Sequence, residues 1–122
     1  MQRNEINSKT ITLLNNSWAS YTLSDGNQHI LDTYTVANAG LYLVTLPFYY
    51  SSNSTGYRSS TITLNDKGQM SDSRTSVSGD ATMGTLSFAR NLSSGDVIGA
   101  RLQQTSGSSL LCYTGLQIIK FN

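Results

Sequence analysis

Charged residues are scarce in this 122-residue chain. Only 12% of its positions are Asp, Glu, Lys or Arg, against about 25% in a typical soluble domain, and the formal net charge is +1. Binding to nucleic acid requires several Lys and Arg residues grouped on one surface. Because the chain has eight such residues and no basic cluster, we expect no nucleic acid among its partners.

Cysteine, histidine and long apolar runs are also scarce. The single Cys112 excludes a disulfide within the chain, and its place in an apolar stretch is typical of a small buried residue. One Cys and one His are too few for a zinc site. The longest apolar run, residues 41–50, is interrupted by Thr45 and Pro47 and is too short to cross a bilayer, so we expect no membrane insertion.

The same scarcity argues against catalysis. A Ser-His-Asp site would have to use His29, the only histidine, with Asp32 three residues away. In a strand these two side chains point to opposite faces, because side chains alternate. No Gly-x-Ser-x-Gly nucleophile motif is present. The sequence therefore predicts that the protein is not an enzyme.

No cofactor is predicted, with calcium as the one metal that has candidate ligands. Asp66, Asp72 and Asp80 lie in or beside predicted loops that could converge. Calcium accepts Asp carboxylates and backbone carbonyl oxygens. The three residues lack the ordered Asp-x-Asp-x-Asp spacing of a calcium loop, so they are candidates by position only.

Neutral polar residues take the place of charge, and their arrangement predicts strands. Ser, Thr, Asn, Gln and Gly together occupy 59 of the 122 positions, and short β-branched and aromatic runs lie between them. No segment has helical periodicity. This pattern is typical of a single all-β domain built as an antiparallel β-sandwich. We predict strands at residues 9–14, 18–23, 28–36, 40–48, 57–64, 82–92, 96–103 and 110–121.

The segments between these strands complete the predicted organisation. Residues 51–56 and 68–81 are polar, and we expect both to be exposed loops. Residues 1–8 are polar as well, and we expect a flexible end or the remainder of a stalk there, with the folded domain at residues 9–122.

Two predicted strands carry apolar side chains on both faces. In residues 40–48, Tyr42 shares one face with further apolar residues, whereas Leu41 and Leu43 lie on the opposite face. The strand at 110–121 is apolar on both faces in the same way. In a sandwich this small, we expect another subunit to cover the second face.

Four segments, in order along the chain, resemble those of C1q-like domains. They are Tyr34 followed six positions later by Gly-Leu-Tyr, Thr-Leu-Asn-Asp-Lys-Gly at residues 63–68, Leu-x-Phe followed by Gly-Asp-Val within residues 86–98, and Tyr-Thr-Gly-Leu-Gln-Ile at 113–118. The chain departs from that family at Ala37, where a Pro is usual, and no collagen repeat precedes the domain. It resembles a divergent member of the wider C1q and tumour-necrosis-factor (TNF)-like jelly-roll group.

This resemblance implies a ten-stranded jelly roll that assembles as a homotrimer, usually at the end of a fibrous stalk. The residues to which it gives fold or interface roles are Gly40, Tyr42, Gly95, Asp96, Tyr113 and Gly115. Gly95 is expected to adopt a positive φ, with Asp96 accepting a backbone N–H of the same turn. Gly115 is expected to leave room where neighbouring chains approach near a threefold axis.

Surface tyrosines give a candidate ligand site. Tyr49, Tyr50 and Tyr57 flank the loop at residues 51–56, Asn53 lies within it, and Arg58 follows. Tyrosine rings stack on sugar rings, while Asn and Arg bind sugar hydroxyls, so the cluster predicts a shallow glycan site at Tyr50, Asn53, Tyr57 and Arg58. We expect glycan recognition in the loops around residues 51–58 and 69–81. The alternative is that the tyrosines pack at a subunit interface, where Tyr is enriched.

Composition and resemblance together predict a trimeric bacteriophage protein at the virion surface. It would be the tip of a tail or head fibre, or a capsid decoration, that binds a host-surface glycan or receptor. Neutral polar composition without disulfides suits assembly in a reducing cytoplasm. The alternatives are a C1q-like trimer on a bacterial cell or spore surface with an adhesive or structural role, a secreted cytokine-type ligand, and a monomeric carbohydrate-binding module.

Overall fold

The computed structural model describes residues 11–76 and 80–121, which form two antiparallel sheets. The predicted all-β class and jelly-roll sandwich are confirmed. The strands are β1 (Ile11–Asn16), β2 (Ala19–Leu23), β3 (His29–Ile30), β4 (Tyr34–Thr35), β5 (Gly40–Tyr50), β6 (Tyr57–Leu64), β7 (Lys67–Thr75), β8 (Thr82–Leu92), β9 (Val97–Gln104), β10 (Leu110–Thr114) and β11 (Gln117–Phe121).

β5 is the central strand of the first sheet. β8 pairs with its whole length along one edge. Along the other edge, β11 pairs with residues 41–45 and β10 with residues 48–50. β1 and β2 then extend this sheet by pairing with β11 and β10, respectively.

The second sheet has β9 and β6 at its centre. The short strands β3 and β4 pair with one edge of β9, and β7 pairs with the outer edge of β6. The core lies between the sheets, where alternate residues of β5 from Tyr42 to Tyr50 are buried and face residues such as Ile62 and Leu102. The apolar residues at alternate positions from Tyr42 to Phe48 therefore place β5 correctly, and the structure extends the strand to Tyr50.

The prediction of an exposed loop at residues 68–81 is wrong for the part that β7 occupies. Hydropathy does not alternate along β7, because Asp72 and Arg74 stand at positions that a half-buried strand usually gives to apolar residues. Arg74 binds both carboxylate oxygens of Asp72 at 2.8 and 3.0 Å and lies over the Phe48 ring, 5.7 Å from its centroid. Residues 77–79 of the predicted loop lie outside the described residues.

Two predicted strands are each divided in two. Residues 28–36 form β3 and β4, and residues 110–121 form β10 and β11, with Gly115 and Leu116 between them. These divisions, together with β7, give eleven strands among the described residues, against the ten that the resemblance implies. The predicted boundary between residues 8 and 9 lies outside the described residues. No helix in the described ranges is long and apolar enough to span a membrane.

Candidate functional site

Arg58, predicted to bind a glycan, is instead buried within the fold. It is 2% exposed, and its guanidinium donates hydrogen bonds to the carbonyl oxygens of Asn53 (2.9 Å), Thr55 (2.8 Å) and Tyr57 (3.2 Å). Desolvation lowers the pKa of Arg58. The side chain closes the loop at residues 51–56 from inside, so the expectation that it contacts a sugar is corrected by its burial.

Tyr50 is also inaccessible to a ligand. Its side chain is 0% exposed, its hydroxyl donates to the carbonyl oxygen of Ser59 at 2.9 Å, and the Ser60 hydroxyl lies 2.8 Å away. Burial raises the pKa of the phenol. Position 50 belongs to the inward-facing set of β5, which is why the predicted glycan contact is wrong here.

Tyr57 and Asn53 remain near the surface. Tyr57 is exposed, whereas Asn53 is half-buried and its side-chain oxygen accepts the backbone N–H of Thr55 at 2.9 Å. Of the four predicted glycan residues, only Tyr57 offers an exposed ring.

The turn before β9 has the predicted chemistry. Gly95 has a φ of +94°, and the Asp96 carboxylate accepts the backbone N–H of Ser93 at 2.8 Å. That bond, with a second one from the Asn65 amide, lowers the pKa of Asp96. These residues build a turn.

Three further residues singled out by the resemblance serve the fold of a single chain. Tyr42 is buried and donates its hydroxyl proton to the Asn38 carbonyl oxygen. A Cβ on Gly40 would lie 3.0 Å from the Lys120 side chain. A Cβ on Gly115 would lie 2.3 Å from the Trp18 nitrogen, so its small size admits a segment of its own chain. The approach of neighbouring chains at Gly115 stays a prediction.

The predicted calcium ligands do not come together. No three His, Cys, Asp or Glu side chains form a cluster in the described part of the chain. Asp72 is engaged by Arg74, and Asp66 lies in the turn between β6 and β7 with a φ of +66°. His29 packs against the Tyr21 ring at 4.7 Å between centroids, while Asp32 is exposed in a loop.

The outer face of the first sheet carries exposed apolar side chains. Directly opposed residues of neighbouring strands share a face. Two rows of such partners cross β5, β11 and β1, and we call them the aliphatic patch: Leu41, Phe121 and Ile11 in one row, Leu43, Ile119 and Leu13 in the other. Leu41 is 41% exposed, and Ile11 and Leu13 are each more than half exposed. Tyr113, given an interface role by the resemblance, is exposed on this same face.

At the other end of the same face lies a concavity of about 580 Å³. We call it the aromatic groove, lined by Trp18, Pro47, Phe48, Tyr49, Met83, Gly84, Thr85 and Tyr113. The Trp18 and Tyr113 ring planes are within 17° of parallel, with centroids 6.5 Å apart. Tyr49 meets Tyr113 edge-on, at 62° and 5.9 Å. Cross-strand pairing places Tyr113, Tyr49 and Met83 in one row.

Sequence reasoning did not find the aromatic groove. Its residues come from four segments that are far apart along the chain, and their juxtaposition depends on strand register. The signals available in the sequence were the aromatic residues at outward positions of β5 and β10 and the chain's single Trp.

Comparison with known proteins establishes the fold. No protein-family model and no curated protein matches the chain. Murine APRIL at pH 8.5 superposes with a TM-score of 0.56 at 12% identity, over 87% of this chain and 99% of that one. The Eiger TNF of S. frugiperda superposes with a TM-score of 0.53 at 13% identity, over 84% and 92%. The chain therefore has the jelly-roll fold of TNF-like domains.

A third structure shows the same fold as a small part of a larger protein. Dimeric latent PorU from Porphyromonas gingivalis superposes with a TM-score of 0.65 at 9% identity, over 93% of this chain. This chain spans only 13% of the PorU chain.

Proposed function

We propose that the protein is the subunit of a homotrimeric, non-catalytic virion protein, a fibre tip or capsid decoration, that binds a host-surface glycan or receptor. The aliphatic patch carries this proposal. It presents large apolar side chains to solvent on a face where none of the outward residues in the described strands is charged. Soluble monomers rarely expose contiguous apolar patches of this kind.

The two outer faces of the sandwich differ, which favours association through the first sheet. On the second sheet, outward hydroxyls bind one another: Thr61 lies 3.0 Å from Ser71, and Ser73 donates to Ser59 at 3.1 Å. These four hydroxyl groups are satisfied within the chain. Complete burial of one Leu or Ile side chain contributes about 1.5–3 kcal/mol, so covering the aliphatic patch stabilises an oligomer substantially.

The resemblance to C1q and TNF-like domains supports three copies. Its motif segments coincide with β5, the turn before β9 and the junction of β10 with β11. A threefold assembly repeats each ligand site three times. Sites of millimolar affinity (~4 kcal/mol) would then attach the virion to a host cell through multivalency.

Composition supports placement on a virion. The chain is rich in Ser, Thr, Asn and Gly and low in charge, and its one cysteine is buried. A surface domain of this kind folds and assembles in a reducing cytoplasm without needing a disulfide.

Two measurements on the purified protein test the proposal. Light scattering is expected to give a mass of about 40 kDa, three times the 13.3 kDa of the chain. A printed glycan array probed with the intact oligomer is expected to show binding to host-cell glycans. A monomer at micromolar concentration would contradict the trimer, and an oligomer that binds no printed glycan would contradict glycan recognition.

A further inference from the structure

We infer that the aromatic groove binds a neutral pyranose unit of a glycan. This inference rests on the proposed glycan-binding function and assigns it a site other than the loop at residues 51–58. The groove, and not that loop, combines exposed aromatic faces with a concave shape.

Ring geometry supports a sugar. The Trp18 and Tyr113 rings are nearly parallel, with centroids 6.5 Å apart, and Tyr49 stands at a steep angle to Tyr113. A pyranose has one face of C–H groups and a rim of hydroxyls. Its C–H face packs on a flat aromatic surface, and tyrosine and tryptophan each add a polar group at the edge of the apolar ring.

Size and charge narrow the ligand class. The groove volume of about 580 Å³ is within the range of small-molecule sites, roughly 300–1,000 Å³. None of its lining residues is charged. Arg74, which donates to the Met83 carbonyl oxygen, is already paired with the Asp72 carboxylate. An acidic sugar would therefore lose hydration in the groove without gaining an unpaired counter-charge, so the expected ligand is neutral.

Polar groups at the groove are available for sugar hydroxyls. Within the described residues, no side-chain hydrogen bond engages the phenol groups of Tyr49 and Tyr113, the Trp18 indole N–H or the Thr85 hydroxyl. Tyrosine and threonine hydroxyls both donate and accept, and the indole N–H donates. This set matches the mixed donors and acceptors on a pyranose rim.

The backbone that carries the groove residues is held in place by the fold before any ligand binds. Ser17, next to Trp18, accepts the Leu116 backbone N–H through its hydroxyl at 2.9 Å, and its own N–H donates to the Leu116 carbonyl at 3.3 Å. Gly115 packs directly against the Trp18 backbone. On the opposite side, Arg74 donates to the Met83 carbonyl oxygen at 3.0 Å. A site held in this way loses less conformational entropy on binding.

The groove is separate from the aliphatic patch. Between them, the outward row across the sheet consists of Gln117, Thr45 and Ser87, all polar. Subunit association through the aliphatic patch therefore leaves the aromatic groove open to a ligand.

The single tryptophan is an intrinsic fluorescence probe of the groove. Trp18 is 52% exposed, so its emission and its quenching by acrylamide report on the groove. The intact protein is titrated to about 10 mM with lactose, cellohexaose, maltohexaose and xylohexaose, and with 3′-sialyllactose as the acidic counterpart of lactose. At least one neutral probe is expected to shift the emission to shorter wavelength and to protect Trp18 from quenching, with no such effect from 3′-sialyllactose.

Variants then assign the site by calorimetry with the bound probe. Trp18→Ala and Tyr113→Ala are each expected to weaken binding more than tenfold, whereas Trp18→Phe, which keeps a ring, and Tyr57→Ala in the other candidate site retain it within about threefold. The oligomer mass and melting temperature of each variant are measured in parallel and are expected to stay close to those of the wild type.

Each contrary result has a distinct meaning. Binding that survives both alanine variants but is lost in Tyr57→Ala overturns the groove and leaves the proposed function in place. A fall in oligomer mass for Trp18→Ala shows that a second copy of the chain occupies the groove, which also overturns the inference. Absence of binding to every neutral probe and to every glycan of the printed array contradicts glycan recognition itself.

Discussion

The backbone nitrogen of Trp18 lies 2.3 Å from the place that a Cβ atom on Gly115 would occupy. The two residues are almost a hundred positions apart in sequence, yet this contact joins the start of β2 to the break between β10 and β11. It also sets the position of the Trp18 backbone, from which the ring extends beside Tyr113. Gly115 is therefore a positioning residue for the aromatic groove.

Gly115→Ala is expected to destabilise the protein. The added methyl group would meet three backbone atoms of Ser17 and Trp18 at 2.3–2.6 Å, and backbone cannot move aside as a flexible side chain can. Forced overpacking of this kind costs about 1–3 kcal/mol. Chemical denaturation measures the change in the free energy of unfolding.

Gly68→Ala is the matched control for this substitution. A Cβ at position 68 would lie 3.4 Å from the Thr61 methyl group, an ordinary contact, and Gly68 lies in a strand. We expect its free energy of unfolding to stay within about 0.5 kcal/mol of the wild type. Equal stability of the two variants would show that the Trp18–Gly115 contact relaxes freely.

Arg58→Met is expected to cost about 3 kcal/mol of stability. The substitution keeps an unbranched side chain in the buried space but removes the donors to the carbonyl oxygens of Asn53, Thr55 and Tyr57. The loop at residues 51–56 should then open and become sensitive to limited proteolysis. Arg90→Met is the control, since exposed Arg90 donates to the Gln69 side chain at 2.6 Å and lies over the Phe88 ring. A small loss for Arg58→Met, similar to that for Arg90→Met, would contradict the role of Arg58 as a buried clamp.

Alkaline pH is expected to destabilise the fold through Cys112. Burial raises the pKa of this thiol from 9.0 to about 12. Above pH 9 the unfolded chain loses the thiol proton while the folded chain keeps it, so stability falls as pH rises from about 9 to 12. The slope from this group is about 1.4 kcal/mol per pH unit.

Urea unfolding of the wild type and of Cys112→Ala, at pH 8 and at several values above 9, measures this contribution. The variant starts less stable because it leaves a small cavity, and the difference should shrink as pH rises. Burial also raises the pKa of Tyr50, which adds a loss of the same sign in both proteins. Parallel pH curves for the two proteins would show that the Cys112 thiol ionises equally in the folded and unfolded states.

The strands were predictable where the buried face carries apolar residues at alternate positions in the sequence. β8 follows from Leu86 and Phe88, which alternate with polar residues. β5 follows from its inward apolar set, which begins at Tyr42, and the exposure of Leu41 agrees with the apolar residues that the sequence also places on the second face. β7 was not predictable from hydropathy, because the Arg74–Asp72 pair and the contact of Arg74 with Phe48 take the place of apolar packing. The division of the last strand depends on tertiary pairing with different halves of β5.

The candidate site was predictable only in its residue types. Tyrosines beside a polar loop indicated ligand contact. Tyr50, however, lies at an inward position of β5 and is buried, and hydrogen bonds to the backbone carbonyls of Asn53, Thr55 and Tyr57 hold Arg58 inside the protein. The aromatic groove combines Trp18, Tyr49 and Tyr113, whose proximity arises from strand register and from the Trp18–Gly115 contact. Neither the strand register nor this contact can be predicted from the local sequence.

The claim that three chains associate through the aliphatic patch is tested most directly by the mass of the Leu41→Glu variant in solution. Sedimentation equilibrium across micromolar concentrations is compared for the wild type, Leu41→Glu and Ile30→Glu. Ile30 is the matched control, because it is 64% exposed but lies on β3 of the second sheet. We expect about 40 kDa for the wild type and Ile30→Glu, and 13.3 kDa for a folded Leu41→Glu chain. A wild-type mass of 13.3 kDa, or a Leu41→Glu protein that remains a trimer, would contradict assembly through this face.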